Sequence, residues 1–458
     1  MEVVQKNLDC EFCQFICTVV RASPAWNKAL QNSLNHYLHY RKRSFGYRSM
    51  NTLEPSTEYI TTLFLELMDG QEPAKSSSPF LSLEHLGLQC IQFPPTQNNG
   101  PFRGILGGRH IGKQLDFILV NFWLESCNSH GQQWFDTPKD TQTNLRITLI
   151  DIKSRRLTQA TTSVKYAALS YVWGPPSTQQ VRLTRATQAE FSIGGSLNED
   201  NTAIPRTIRD AMIVCNRLAI PFLWVDALCI IQDGPDISAH LHVMNDIYAA
   251  SYLTIVAASG TDSWAGLPGV MPDSRKVHQP SILIEGFHIG VALPDFKTSV
   301  MHSPWAKRGW TFQERLFSKR MLIFAAAQCF FYCDKMTRYE STMTEVCEED
   351  KRIEWMIYET EVWERLRKNF KLSFGITATT SKSLATFFEL AQEYRRLTFT
   401  YQRDILGAFG GILAAFERGL STSFYFGLPI SYFTLALLLD YTQCIRRPEF
   451  PSWSWTGW

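Results

Sequence analysis

The sequence predicts an α/β fold: a parallel sheet with helices on both faces, an irregular N-terminal region before it and a mainly helical C-terminal region after it. Three observations carry the prediction. Four runs are apolar throughout, 164-VKYAALSYVWG-174, 222-FLWVDALCII-231, 252-YLTIVAAS-259 and 320-RMLIFAA-326, as strands covered on both faces must be. Segments with helical apolar spacing lie between them, the alternation expected of crossover helices. Hydrophobic residues make up 45% of the chain and charged residues 19%, a composition that folds around a core.

Taken in order, residues 1–160 read as an accessory region, with turn-rich stretches such as 74-AKSSSP-79 and 94-PPTQNNGP-101 between short apolar runs. The first strand of the sheet ends in Gly-Pro-Pro. The segment 204-IPRTIRDAMIVCNRLAI-220 repeats Ile204, Ile208, Met212, Cys215 and Leu218 at helical spacing. Pro205 suits the first turn of that helix, where its missing N–H is not needed. Pro221 ends it, and residues 222–231 read as the second strand. After the turn at 233-DGPD-236, residues 238–251 read as a helix with Met244, Ile247 and Tyr248 on one face. The third and fourth strands follow. The sheet domain therefore spans 161–326, and 327–458 form the helical C-terminal region, beginning with the Glu- and Arg-rich stretch 348–368.

The length of 458 residues supports two or three domains, and the net charge of +2 gives no global reason to expect nucleic acid or an anionic membrane as partner. The eleven cysteines are odd in number and scattered, and the N-terminus lacks a basic start followed by an apolar run. Both features point to a reducing compartment, hence a cytoplasmic protein. The longest apolar stretch, 424-FYFGLPISYFTLALLL-439, falls short of the ~20 residues a spanning helix needs. It reads as a buried core segment, with no membrane span.

Several local motifs carry chemistry or imitate it. In 303-SPWAKRGWTFQERLFSKRMLIF-324, Glu314 is a lone carboxylate among bases, just after two tryptophans. Thr311-Phe312-Gln313-Glu314 fits a capping box, in which the Glu merely helps to start a helix; the same carboxylate can equally face a ligand. Ligands of parallel sheets bind beyond the carboxyl ends of the strands, which singles out Ser170, Tyr171 and Gly174, then Asp226, then Ser259. Asp226 sits either at the mouth of the sheet or buried and paired. The segment 107-GGRHIGKQ-114 has phosphate-loop spacing, but Gln114 stands where Ser or Thr would hold magnesium. A surface turn explains it. Cys10, Cys13 and Cys17 lack a second pair of zinc ligands and share a helix face, while Cys127 and His130 read as packing. No metal site is expected. The basic and aromatic run 40-YRKRSFGYR-48 reads as a solvated face.

Three blocks together resemble the heterokaryon-incompatibility (HET) domain of filamentous fungi: 168-ALSYVWG-174, 223-LWVDALCIIQD-233 leading to 244-MNDIYAASYLTIVAASG-260, and 308-RGWTFQERLFSKRMLIF-324. The resemblance covers about residues 164–326 and matches in order and spacing. The segments 118-ILVNFWLESCNSH-130 and 447-RPEFPSWSWTGW-458 look like the usual companions of that domain. Relatives commonly run on past the second, whereas this sequence stops at Trp458, which the resemblance leaves open as a shortened gene model or a natural truncation.

That likeness implies a role in self/non-self recognition leading to programmed cell death, and a core similar to the flavodoxin-like fold of Toll/interleukin-1 receptor (TIR) domains. Trp310 and Glu314 reproduce the W-x-x-x-E spacing of TIR enzymes that cleave NAD, although Thr311 replaces their cysteine. The resemblance therefore implies NAD as substrate, with no cofactor. Glu314 would be catalytic; Ser170, Tyr171, Trp173, Gly174, Asp226, Arg308 and Trp310 would line the substrate site. Arg308 would meet a phosphate, although a helix-proximal surface arginine has a bland explanation too. The alternative is a non-catalytic adaptor acting by self-association or by binding a protein partner, and a third reading is an inactive remnant.

Overall fold

The computed structural model describes residues 10–22, 37–46, 58–68, 86–92, 108–129 and 144–458, apart from breaks at 176, 179, 236–242, 278, 285–286, 335, 343–360, 375–378 and 440–445. The turn-rich stretches 74–79 and 94–101, residues 47–48 and the side chains of the basic run, the side chains of Cys13 and Cys17, and His130 lie outside the described residues. So do residues 238–242 and 348–360, the first parts of two expected helices.

The chain forms two compact units. One comprises residues 1–112, 276–294 and 338–355. It contains a five-stranded antiparallel sheet in the order Tyr37–Gly46, Glu58–Met68, Leu86–Gln92, Phe287–Val291, Ser281–Ile284. The N-terminal region is thus more regular than its sequence suggests. Its edge strand, YLHYRKRSFG, is charged as exposed edges tend to be, so it does not register as an apolar run. The helix Glu11–Ala22 buries Phe15, Ile16 and Val19.

The other unit comprises residues 113–275, 295–337 and 356–458. Its centre is a mixed sheet built from β1 (Arg146–Asp151), β2 (Arg156–Thr161), β3 (Tyr166–Ser170), β4 (Phe222–Trp224), β5 (Leu253–Ala257), β6 (Arg320–Phe324) and β7 (Cys329–Cys333). Their order is β7-β6-β5-β3-β4-β1-β2. The four expected strands β3, β4, β5 and β6 are parallel neighbours, and β3 and β5 are buried at every position. The fold is α/β, as expected, but the sheet is mixed: β1 and β7 pair antiparallel on its flanks. Among the parallel strands the order is second, first, third, fourth. Connections leave β3 and β5 in opposite directions, so a crevice opens at their carboxyl ends, where ligands of wound sheets bind.

The covering helices are α1 (Phe117–Ser129), α2 (Arg206–Arg217), α3 (Asp226–Cys229), α4 (Met244–Ala250) and α5 (Gly309–Phe317). Pro205 is the N-cap of α2, one position earlier than expected. The second strand is shorter than its apolar run. It stops at Trp224, and the chain turns into α3, whose Leu228 and Cys229 N–H groups bond the Val225 carbonyl. A continuous apolar run cannot separate a buried strand from a buried turn of helix.

Residues beyond 356 add α6 (Glu361–Leu372), α7 (Thr380–Tyr394) and α8 (Gly410–Leu420). They build a second core in which Phe387, Tyr394, Phe409, Phe416 and Trp455 pack with Phe312 and Leu316 of α5. Arg367 of α6 donates to the carbonyls of Arg315 (2.7 Å) and Ser318 and is paired with Asp334 (3.0 Å). Carbonyls at the end of α5, which have no intrahelical partner, are satisfied in this way. The apolar stretch 424–439 is not a buried segment. It folds as a hairpin and short helical turns, burying Leu428 and Ala436 but exposing Ile430, Leu435 and Leu438. Gly427, at φ +77°, lies against the Trp455 indole and turns the hairpin. Among the described residues no helix is long and apolar enough to cross a membrane.

Candidate functional site

Strand β3 delivers the first site residues. Ser170, its last residue, is buried, and Tyr171, Trp173 and Gly174 follow as the chain leaves the sheet. Gly174 has φ +96°, and a Cβ there would stand 2.6 Å from Thr178 Oγ1 and 2.7 Å from Asp262 Cβ. Only glycine fits so close a turn.

Helix α5 brings Glu314 to the same place. The side chain is 6% exposed, and the Ser170 hydroxyl donates to it. Ser170 in turn accepts from the Trp305 indole at 2.6 Å, so its proton is directed at the carboxylate. The Tyr248 hydroxyl bonds the Leu169 carbonyl at 3.0 Å and also reaches Glu314. Burial raises the Glu314 carboxyl to about 7, against the opposing effects of the Ser170 bond and the Arg308 charge. The capping-box reading does not hold. The helix N-cap is Arg308, so Glu314 lies at the sixth helical position, and the Thr311 hydroxyl donates to the carbonyls of Trp305 (2.6 Å) and Arg308 (2.9 Å). The helix starts early because Thr398 accepts the Gly309 N–H at 3.0 Å.

Asp226 is both at the mouth and paired. Half-buried, it accepts from the Trp173 indole at 2.8 Å and from the Ala227 N–H at 2.7 Å. Burial raises it to about 6 despite those bonds. Two carboxyls thus titrate near neutrality in one place, a pattern common at functional sites. Arg308 is the nearby cation; its guanidinium donates to the Tyr171 carbonyl at 3.0 Å and favours the charged form of both acids. The Arg182 guanidinium lies 5.2 Å over the Trp173 ring.

These groups line one cleft of about 340 Å³. Tyr171, Trp173, Gly174, Asp226, Arg308 and Trp310 form its walls, with Glu314 among them. Ser170 is not among the lining residues; through its bond to Glu314 it positions the carboxylate. Ser259 is not among the lining residues; its N–H bonds the Phe324 carbonyl at 3.4 Å. Lys113 of the phosphate-loop imitation pairs with Asp273 at 2.8 Å on the surface. Cys127 is fully buried against Cys333. Among the described residues no cluster of His, Cys, Asp or Glu is arranged to hold a metal ion.

Sequence reasoning missed two contributions. Trp305 was visible only as the first of two neighbouring tryptophans, and nothing local pairs it with Ser170, 135 residues earlier. The other is the segment 398–404. Thr398, Phe399, Thr400, Tyr401 and Asp404 form one side of the cleft. Thr398 makes a parallel bridge to Arg308, taking the Gly309 N–H and giving its own N–H to Lys307 (2.7 Å). The Asp404 carboxylate accepts from the Trp310 indole. Arg447 supports this strap, bonding Gln402 at 2.7 Å and the Arg395 carbonyl at 3.1 Å.

Chemically, the arrangement offers a buried carboxylate able to carry negative charge near pH 7, aromatic walls for planar groups, and guanidinium groups for an anion. Residues 166–314 match the family model described as heterokaryon incompatibility protein (HET). No curated protein and no solved structure matches the chain.

Proposed function

The chain is a heterokaryon-incompatibility (HET) domain protein, and from that premise we propose that its cleft hydrolyses the nicotinamide–ribose bond of NAD in a self/non-self response that ends in cell death. The observation that carries the reading is Glu314, a buried residue of the cleft lining bonded to the last residue of β3, with its carboxyl raised to about 7. The strand order of the parallel core and the W-x-x-x-E spacing of Trp310 and Glu314 support a likeness to TIR enzymes.

Nicotinamide leaves as a neutral molecule, so the demanding part is the cationic, oxocarbenium-like ribose. An ionised Glu314 places negative charge beside that centre in a low-dielectric site, where it acts most strongly. Ser170 and Tyr248 hold the carboxylate in one orientation. The C–N bond breaks with its electron pair going to nicotinamide. Water adds at the ribose carbon and gives up one proton, leaving ADP-ribose. Arg308 meets the phosphates, and Trp310 packs on the nicotinamide ring.

The test is release of nicotinamide from NAD by the purified chain beside Glu314→Gln, which keeps the shape and removes the charge. The expected result is a fall in rate of about 100-fold or more. Equal rates, or no release by the wild-type chain at high protein concentration, would reject the enzyme reading.

A second reading, an adaptor acting by self-association, is favoured by the apolar side chains that Ile430, Leu435 and Leu438 present to solvent. It predicts association without nicotinamide release.

A further inference from the structure

The cleft is at the small end of the range for ligand sites, roughly 300–1,000 Å³. At about 340 Å³ it takes one nucleotide of a dinucleotide, and the other must lie at its rim. The lining aromatics show where. Tyr171 is buried, and Trp173 is covered by Arg182 and tied to Asp226. Trp310 is tied to Asp404. Phe399 is packed against Gly309, where a Cβ would come within 1.9 Å of the ring. Tyr401 differs from all four. It is 52% exposed, its backbone is extended, and a single guanidinium, that of Arg403, sits 5.3 Å from its ring centroid.

We propose that Tyr401 is the stacking platform for the purine ring of a dinucleotide whose scissile ribose lies at Glu314. This rests on the proposed reading of the cleft and extends it to the segment beyond residue 314, where the family match ends. The path is continuous. Trp310 stands four residues before Glu314 on the same face of α5, its indole is held by Asp404, and Tyr401 is the first turn neighbour of Asp404 in the strap. Arg403, on the Tyr401 ring, adds positive charge beside the path of the phosphates.

The experiment uses the full chain with two kinds of readout. Binding of AMP is measured by calorimetry for wild type, Tyr401→Ala and Tyr401→Phe; turnover is measured with NAD and with nicotinamide mononucleotide, which lacks the adenosine. The expected result is an AMP affinity about tenfold weaker in Tyr401→Ala, the scale of losing one base–aromatic stack, and little changed in Tyr401→Phe. In turnover, Tyr401→Ala raises KM for NAD and leaves the mononucleotide unaffected. Because Tyr401 is exposed, neither variant should disturb folding. AMP that binds wild type and Tyr401→Ala equally, or fails to bind wild type, overturns the proposal. So does an equal loss of turnover on both substrates. If AMP binding falls as expected but neither substrate is cleaved by wild type, the purine site stands and the hydrolase reading falls.

Discussion

Glu314 shows how one side chain joins stability to chemistry. Its carboxyl sits at about 7 when folded, against 4.5 for an ordinary glutamate, and Asp226 sits at about 6 against 3.8. Over that interval the folded chain keeps protons that the unfolded chain has released. Stability therefore falls as pH rises from about 4 to about 7 and levels off above. Glu314→Gln removes the larger share, so it is expected to gain on the order of 2 kcal/mol at pH 8 and almost nothing at pH 4.5. Urea midpoints at the two pH values check this; an equal or lower midpoint at pH 8 contradicts it. Catalysis needs the opposite state. The rate is expected to rise through an apparent pKa near 7 as Glu314 ionises, a stability–activity conflict expected of working sites. The residue type and its tryptophan spacing were legible in the sequence. Its burial was not, because Ser170, Trp305 and Tyr248 come from separate elements.

At the scale of elements, the strap and α5 depend on each other. Gly309 is where they touch: its absent side chain leaves room for Phe399. Gly309→Ala is expected to push Phe399 away, costing about 1–3 kcal/mol as overpacking does and lowering activity by moving Trp310. Adding Phe399→Ala frees the space, so the double variant should be less destabilised than the two single effects summed. Additive thermal shifts would show that the ring and the glycine do not compete for that volume. The start of α5 illustrates what local pattern cannot tell. Thr311-x-x-Glu314 satisfies the capping-box motif, yet the Thr398 carbonyl, 89 residues away, takes the Gly309 N–H and moves the helix start to Arg308. The apolar run 222–231 is a similar case, since its strand-like composition serves a three-residue strand and then a turn of helix.

At the scale of the molecule, α5 belongs to two cores. Trp310 and Phe317 pack against the core of the sheet as well as against the C-terminal core, while Phe312 and Leu316 are buried in the latter. The Gln313 side chain accepts the Gly411 N–H at 2.9 Å. A fragment ending at residue 326 would leave those apolar groups in water and the last carbonyls of α5 without Arg367. It is expected to aggregate or to unfold without cooperativity, as judged by its denaturation curve. A fragment that unfolds in one sharp transition would show instead that the sheet region stands alone.

What the sequence by itself determined is the α/β class, the four central strands and seven of the residues that line the cleft, Tyr171, Trp173, Gly174, Asp226, Arg308, Trp310 and Glu314. Burial on both faces and helical spacing are written in neighbouring residues, so periodicity reveals them. Tertiary structure decided the flanking antiparallel strands, the true start of α5, the exposure of the 424–439 stretch and the strap that closes one side of the site. Each of those depends on hydrogen bonds or packing between residues tens to hundreds of positions apart, and a one-dimensional pattern carries no record of which distant partner will arrive.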